Sequence, residues 1–253
     1  MQILEATVKS NILITESAHE IQFDCQMPQS FPGQFISVLC GSDTISPRPF
    51  SIFSQGDNMV SICFDVKGVG TQWLSKRRVG DKVEVFGPLG NHFNSPKSNE
   101  NVLFVAGGMG IVPILRVINS IEAKDQAACL LLYGVRSVDQ RIINSSPARW
   151  CNTRLISESG SSVDRGLVTD YLEEAITDIK PDMVFACGPR PMLAQVKRIL
   201  EPHNIPCQVS VEEIMGCGGQ GHCCGCAIER ADGKGYSLVC QEGPVFDIRE
   251  VAL

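Results

Sequence analysis

Short runs in which apolar and polar residues alternate fill the first 97 positions. The runs, in chain order, are ILEATVKSNILIT, HEIQFDC, QFISVLC, MVSICFDV and DKVEVFG. A two-residue period is typical of strands that expose one face, and turn-forming prolines and glycines separate the runs. Several short strands at this spacing indicate a closed barrel or a sandwich. We therefore predict an N-terminal antiparallel β-barrel domain over residues 1–97.

The pattern changes after the polar, breaker-rich segment NSPKSNEN, which we interpret as a linker. NVLFVA, ACLLLYGV, TRLISES and MVFACG follow as mostly apolar runs of the kind found in buried parallel strands. Helical patterns alternate with them over residues 111–123, 168–176 and 192–200. Strands that alternate with helices predict a doubly wound parallel sheet over residues 98–205. Residues 206–253 lose this rhythm and become rich in cysteine and glycine, which predicts a small third module.

Bulk composition excludes several classes of protein. The chain has 253 residues, 43% of them hydrophobic, enough for two ordinary domains. A net charge of −6 argues against a nucleic-acid partner. The longest apolar stretch, roughly residues 102–115, is broken by glycines and a proline and is too short to span a bilayer. The opening MQILEATVKS is too polar for a secretory signal, so we expect a cytoplasmic protein without a membrane association.

Four of the twelve cysteines have the spacing of an iron–sulfur site. Five residues separate Cys217 from Cys223, two separate Cys223 from Cys226, and thirteen separate Cys226 from Cys240. Plant-type [2Fe–2S] sites use C-x₄-C-x₂-C and a distant fourth cysteine, so this chain has one extra residue, in a glycine-rich loop that can absorb it. We predict these four as ligands, with Cys224 in place of Cys223 as an alternative register.

Two other kinds of metal site come into question for these cysteines: a zinc site stays open, and a Rieske site is excluded. A structural zinc held by four thiolates is the alternative to a cluster. A Rieske site needs two histidines, and only His222 is near.

The scattered cysteines lie in apolar or mixed segments, where a free thiol behaves as a small hydrophobe. We therefore interpret them as reduced core thiols: Cys25, Cys40, Cys63, Cys129, Cys151 and Cys207.

A flavin signal lies in the barrel domain. The run RPFSI, followed by GVGT at the start of a helical pattern, resembles the flavin-binding barrel of the ferredoxin–NADP reductase superfamily. A planar guanidinium suits a pyrophosphate, and glycines let backbone N–H groups approach phosphate. The resemblance implies FAD, with the arginine at the pyrophosphate and the aromatic residue and serine near the ring. The implied cofactor-binding residues are Arg48, Pro49, Phe50, Ser51, Phe64, Asp65, Lys67, Gly70 and Thr71.

A nicotinamide signal lies in the second domain. GGMGIVP and CGPRPM both follow predicted strands, so a ligand across that sheet edge could touch both loops. The pair resembles the nucleotide-binding half of the same superfamily. The resemblance implies that Cys187 is the catalytic position beside the hydride path. It also implies that the dinucleotide is bordered by Gly107, Gly108, Gly110, Gly188 and Pro189.

The choice between NADH and NADPH rests on the end of the second strand of this domain. Arg136 and Arg141 could meet a 2′-phosphate, which would indicate NADPH, or they could be solvated surface charges. We favour the surface interpretation and therefore NADH.

The last motif, YSLVCQEGPVF after the cysteine-rich loop, resembles the electron-transfer subunits of B-type dihydroorotate dehydrogenases. With the flavin and dinucleotide motifs in the expected order, this resemblance spans essentially the whole chain. It implies a 1–97 FAD-binding barrel, a 98–205 NAD-binding domain and a 206–253 [2Fe–2S] module. It also implies an FMN-containing catalytic partner in a hetero-oligomer, a heterotetramer, that oxidises dihydroorotate in pyrimidine biosynthesis.

The three cofactors suggest an order of electron transfer. NADH delivers two electrons together, a [2Fe–2S] cluster accepts one, and a flavin can exchange either number, so the flavin belongs between them. The chain shows no acid–base constellation for substrate chemistry, so we expect the oxidised substrate to bind on the partner. The alternative function is the small subunit of a flavin-based bifurcating or ferredoxin-linked NAD(P)H oxidoreductase.

Overall fold

The computed structural model describes residues 3–41, 46–121, 126–142, 151–160 and 162–253. Six antiparallel strands close a barrel in the order β1-β2-β5-β4-β3-β6. Their bounds are β1 Leu4–Leu13, β2 Ala18–Asp24, β3 Phe35–Val38, β4 Arg48–Gly56, β5 Met59–Asp65 and β6 Lys82–Leu89. The predicted barrel is thus confirmed, and closure leaves no unpaired sheet edge.

Alternation along these strands builds the barrel core. In β1 and β2 the inward positions Ala6, Val8, Ile21 and Phe23 are fully buried, as a two-residue period requires. The short helix α1, Val69–Ser75, follows β5 and inserts Leu74 into the same core. This helix is the one that the GVGT motif begins, so the predicted phosphate loop lies directly after β5.

A seven-stranded sheet forms the second layer, in the order β10-β9-β8-β7-β11-β12-β15. All neighbours pair in parallel except β12 with β15. The chain order reverses between β7 and β11, which is the switch point of a doubly wound sheet. The strand bounds are β7 Glu100–Gly107, β8 Gln126–Ser137, β9 Asn152–Ser159, β10 Asp164–Arg165, β11 Met183–Cys187, β12 Cys207–Ser210 and β15 Val245–Asp247.

Helices cover both faces of this sheet, as the doubly wound pattern predicts. They are α2 Ile111–Ser120, α3 Leu172–Ile179 and α4 Arg190–Leu200. α3 and α4 pack on one face through Leu172, Ile176 and Val196. α2 packs on the other face and is apolar almost all round, because it lies between the sheet and barrel strand β4. The dinucleotide loop and the barrel are therefore held close together.

The cysteine-rich segment shares hydrogen bonds with the sheet. β12 pairs with β11, and β15 pairs with β12, although both strands come from the range 206–253 that we predicted as a separate module. Between them a two-stranded hairpin forms from β13 Ala227–Glu229 and β14 Tyr236–Leu238. The three-way division of the chain remains a prediction, but the alternating run CQVSV was a strand signal that we missed.

Two cysteines depart from the expectation of reduced thiols. Cys129 on β8 and Cys151 just before β9 form a disulfide, with their Cα atoms 4.8 Å apart. The interpretation of this pair as free thiols was wrong, because adjacent parallel strands bring side chains distant in sequence into register. Cys25, Cys63 and Cys207 are reduced and buried as expected. Cys40 is also buried, and its thiol donates to the carbonyl oxygen of Val38 at 3.5 Å. No helix in the described ranges has the length and apolar character of a bilayer span.

One prediction concerns the core between the sheet and α2. Phe104 and Phe185 are fully buried and stack with ring centroids 5.3 Å apart. Phe104→Ala should lower the free energy of unfolding by about 3–5 kcal/mol, because it removes buried contacts and leaves a cavity. Urea denaturation of the holoprotein measures the change. Val79→Ala, at a 71% exposed position, is the control; equal effects of the two substitutions would contradict this account of the core.

Candidate functional site

A cavity of about 280 Å³ lies between the barrel and the carboxyl edge of the sheet. Seven of the nine predicted flavin-binding residues line it: Pro49, Phe50, Ser51, Phe64, Asp65, Lys67 and Thr71. β4 supplies the first three as it pairs with β3, and the end of β5 supplies the next two. Aromatic and aliphatic walls with a few polar groups suit a flat conjugated ring.

Arg48 and Gly70, the remaining two, lie against each other beside this cavity. A Cβ atom on Gly70 would stand 3.2 Å from Arg48 Nε, so the glycine leaves room for the guanidinium at the start of α1. Thr71 Oγ1 accepts hydrogen bonds from the backbone N–H groups of Lys67 and Gly68, at 2.9 and 3.1 Å. The threonine hydroxyl therefore holds the shape of the loop that borders the cavity.

A larger cavity of about 880 Å³ opens at the switch point of the sheet. All five predicted dinucleotide residues line it: Gly107, Gly108, Gly110, Gly188 and Pro189. The loops after β7 and β11 pack so closely that a Cβ on Gly110 would overlap the Cys187 carbonyl group. Arg136 and Glu158 also line this cavity, at the ends of β8 and β9, whereas Arg141 does not.

The two cavities adjoin, since four residues line both: Asp65, Lys67, Met109 and Glu212. Asp65 and Lys67 form an ion pair at 3.2 Å. Glu212 faces the open crevice, yet the protein around it removes part of its hydration and raises its pKa, an effect that Lys67 opposes and Asp65 reinforces. A ligand in the larger cavity can thus reach a ligand in the smaller one.

The structure places Cys187 away from both cavities. The residue is 1% exposed at the end of β11, and its carbonyl group lies against Gly110 of the dinucleotide loop. Burial raises the pKa of this thiol, so it stays protonated. Its catalytic role remains a prediction; in this structure the residue is buried and lines neither cavity.

The four predicted cluster ligands lie in the C-terminal segment as two separate pairs of contacting thiols. Cys217 hydrogen-bonds with Cys223, and Cys240 with Cys226; Cys217 is also close enough to Cys240 to raise its pKa. Cys224 has a left-handed backbone (φ 53°), and both it and Cys223 are exposed. In the described ranges no three His, Cys, Asp or Glu side chains converge closely enough to ligate one ion. Two thiols for each of two irons match the observed pairs.

Hydrogen bonds distinguish the two pairs electrostatically. Burial opposes ionisation of Cys217, but N–H groups of the loop and the Cys223 thiol lower its pKa to about 6; the backbone donors belong to Gly221, His222 and Cys223. Burial and the contact with Cys226 raise the pKa of Cys240 to about 11. A thiolate that accepts several backbone N–H groups is the environment that iron–sulfur ligands require.

The cluster loop begins at the wall of the flavin cavity. Met215 lines that cavity, and Cys217 follows two residues later, a span of at most about 7 Å. Cavity residues that sequence reasoning missed come from this same connection, from β3, β5 and α2, and from nearby loops: Phe35, Cys63, Met109, Val112, Ser210, Val211, Glu212, Glu213, Met215 and Pro244. Reading CQVSV as a parallel strand would have placed Glu212 at the ligand-binding edge.

Family models match two parts of the chain. Residues 212–252 match the iron-sulfur cluster binding domain of dihydroorotate dehydrogenase B. Residues 104–198 match the oxidoreductase NAD-binding domain. The first range contains all four predicted ligand cysteines, and the second contains the loops that line the larger cavity.

Solved structures share the fold. A structure of the NADH-dependent reduced ferredoxin-NADP oxidoreductase, described in work on flavin-based electron bifurcation, superposes with a TM-score of 0.86 and 23% identity, over 98% of this chain and 89% of that one. The ferredoxin reductase in carbazole 1,9a-dioxygenase superposes with a TM-score of 0.69 and 17% identity, over 81% of this chain and 67% of that one. At these identities the likeness is one of fold.

Curated relatives match end to end. The electron transfer subunit of dihydroorotate dehydrogenase B (NAD(+)) from Caldanaerobacter subterraneus subsp. tengcongensis is 35% identical over 250 residues, 98% of each chain. The corresponding subunit from Geobacillus kaustophilus is 31% identical over 256 residues, 98% of this chain and 97% of the relative. With both the fold and the length shared, this chain belongs to the family of dihydroorotate dehydrogenase B electron transfer subunits.

Proposed function

We propose that this chain passes electrons between NAD(H), FAD and a [2Fe–2S] cluster on behalf of a catalytic subunit that oxidises dihydroorotate. The observation that supports this most is the continuity of the site. Two cavities share four lining residues, and the four-cysteine loop begins two residues beyond the wall of the smaller one. Three adjoining sites suit three electron carriers in series: the nicotinamide, the flavin and the cluster.

The smaller cavity would hold the flavin ring between barrel and sheet. When bound, a flavin exchanges two electrons with nicotinamide and single electrons with a cluster. Pro49, Phe50 and Ser51 would border the ring, and Phe64 packs behind Phe50 with ring centroids 5.6 Å apart. Arg48 and the backbone around Gly70 would meet the phosphates, because a guanidinium pairs with phosphate in a bidentate manner.

The larger cavity would hold the dinucleotide across the switch point, with its nicotinamide end toward Met109 and Glu212. The glycines at 107, 108, 110 and 188 let the backbone approach the ligand. Glu158, at the end of β9, supports NADH over NADPH, since a carboxylate accepts a hydrogen bond from a ribose hydroxyl but repels a 2′-phosphate.

Cys217, Cys223, Cys226 and Cys240 would hold the cluster as two pairs of ligands. Cys223 is preferred to Cys224 because its sulfur contacts Cys217 and accepts a hydrogen bond from the Gly225 backbone at 3.4 Å. Backbone N–H groups around Cys217 would stabilise negative charge on the ligand sulfur.

The remaining parts of the proposal concern the partner and the compartment. The relatives are named as electron transfer subunits, which supports a separate catalytic partner. That this partner contains FMN and that the complex is a heterotetramer follow from the resemblance of the C-terminal motif. We place the complex in the cytoplasm, since the four ligand thiols are reduced and a reducing compartment keeps them so. The Cys129–Cys151 disulfide is the exception to this redox pattern.

An absorption spectrum tests the proposed function. Protein isolated anaerobically with its co-purifying partner should show flavin bands and iron–sulfur shoulders, and NADH should bleach both. Adding dihydroorotate to the complex should bleach the same bands, with electrons that arrive from the partner subunit. Protein that contains zinc alone, or a flavin that NADH leaves oxidised, would contradict the proposal. Co-purification with a different enzyme would favour the bifurcating or ferredoxin-linked alternative.

The ligand assignment predicts different effects for neighbouring cysteines. Cys223→Ser should reduce the iron content of the purified protein by half or more, because a hydroxyl is a poor replacement for a thiolate ligand. Cys224→Ser, one residue away, should retain wild-type iron and flavin. Iron analysis and the electron paramagnetic resonance spectrum of the reduced protein measure the difference. The reverse pattern would favour the register with Cys224.

The close contact of the two nucleotide loops predicts the effect of Gly110→Ala. The added methyl group would overlap the carbonyl of Cys187 and push the loops apart. The KM for NADH should rise about tenfold, which corresponds to about 1.4 kcal/mol of binding. Gly56→Ala is the control, because a Cβ there meets nothing within 4 Å. Equal KM values for both variants and the wild type would show that the loops do not bind the dinucleotide.

A further inference from the structure

A buried hydrogen bond joins the barrel to the cluster loop. Ser37, on barrel strand β3, is fully buried, and its hydroxyl donates to the carbonyl oxygen of Gly218 at 2.6 Å. The two residues are 181 positions apart in the chain. A buried hydroxyl needs a partner, and here the partner is the residue that follows the first predicted cluster ligand, Cys217.

The loop lies flush against the barrel at this point. Gly218 has a left-handed backbone (φ 65°), and a Cβ there would stand 2.8 Å from Pro47 and 3.0 Å from Phe86. Gly219 (φ 93°) is equally close, with Leu89 at 2.9 Å. Two consecutive glycines therefore permit the backbone contact that the Ser37 hydroxyl completes.

The barrel side of this contact lies next to the proposed flavin site, although Ser37 itself does not line the cavity. Ser37 pairs with Pro49 across strands β3 and β4, and Phe35, two residues earlier, pairs with Ser51 and lines the flavin cavity. If the cluster loop moves away from Ser37, it therefore also moves away from the residues that border the flavin ring.

The opposite side of the loop is held by the segment of the last ligand. Gln241 Nε2 donates to the Gly219 carbonyl at 2.9 Å and lies 3.7 Å from Cys240 Sγ. Successive carbonyls of the loop, those of Gly218 and Gly219, are thereby bound from two directions. Ser37 provides the attachment to the barrel, and Gln241 provides the attachment within the cluster module.

We propose that Ser37 is a positioning residue for electron transfer: its hydroxyl fixes the loop after Cys217 against the flavin-bearing strands and so sets the rate between flavin and cluster. This inference rests on the proposed function. The step moves one electron from the flavin, reduced by NADH, to the oxidised cluster. No bond to Ser37 forms or breaks, and the serine keeps its proton. Because electron transfer slows steeply with distance, loosening this attachment slows the step.

Stopped-flow reduction of the holoprotein by NADH separates the two steps. Ser37→Ala should leave flavin reduction unchanged and slow the subsequent cluster reduction about tenfold, as expected when a positioning contact is lost. Ser37→Cys keeps the size and a weak donor, so its rate should be intermediate. Ser61→Ala is the matched control: Ser61 is equally buried in the barrel but bonds Ser54, at 2.6 Å, instead of the loop. Its two rates should match the wild type.

Hydrogen–deuterium exchange gives a readout that does not depend on activity. In Ser37→Ala the peptide spanning residues 217–222 should exchange about fivefold faster, while Ser61→Ala leaves it unchanged. The inference is overturned if Ser37→Ala, loaded with flavin and iron, reduces its cluster at the wild-type rate, or if both variants slow both steps equally. If Ser37→Ala loses its iron and cannot be measured, the inference is overturned when the cluster of Ser37→Cys is reduced at the wild-type rate. Wild-type protein that NADH cannot reduce would instead refute the proposed function.

Discussion

The packing of helix α2 against barrel strand β4 is the contact on which the rest of the site depends. β4 bears the flavin-bordering residues at one end, and α2 begins at the dinucleotide loop. Arg116 of α2 donates to the backbone and side chain of Ser30, at 2.9 and 2.7 Å, and Ser30 in turn bonds Gln55 of β4. Apolar packing supplies most of the stabilisation, and these hydrogen bonds fix the orientation of the two domains.

That contact explains why α2 is unusual for a surface helix. A helix on the outside of a doubly wound sheet needs one apolar face, whereas α2 buries seven of its ten residues, because barrel and sheet lie on opposite sides of it. Burial lowers the pKa of Arg116 to about 10, which still leaves it charged at neutral pH. The charge is retained because the guanidinium has hydrogen-bond acceptors on the barrel side.

The cluster loop is also held by close packing against the barrel. Glycines at 218 and 219 bring the backbone against Pro47 and Leu89, distances at which a side chain would not fit. Strands β12 and β15 attach both ends of the cysteine-rich segment to the nucleotide sheet. A short segment with little core of its own thus takes its rigidity from two neighbouring domains, which is consistent with the small size of its hairpin.

The sequence by itself determined the barrel, the parallel sheet and the classes of ligand, because strand periodicity, glycine-rich turns and cysteine spacing are local properties of the chain. It identified the residues from Pro49 to Ser51 and the glycine loops, which the structure brings to two adjoining cavities. It could not place Glu212, the Ser37–Gly218 bond or the Cys129–Cys151 disulfide. These depend on which distant segments become neighbours, and only tertiary packing decides that: β12 pairs with β11, the cluster loop packs on the barrel, and β8 pairs with β9.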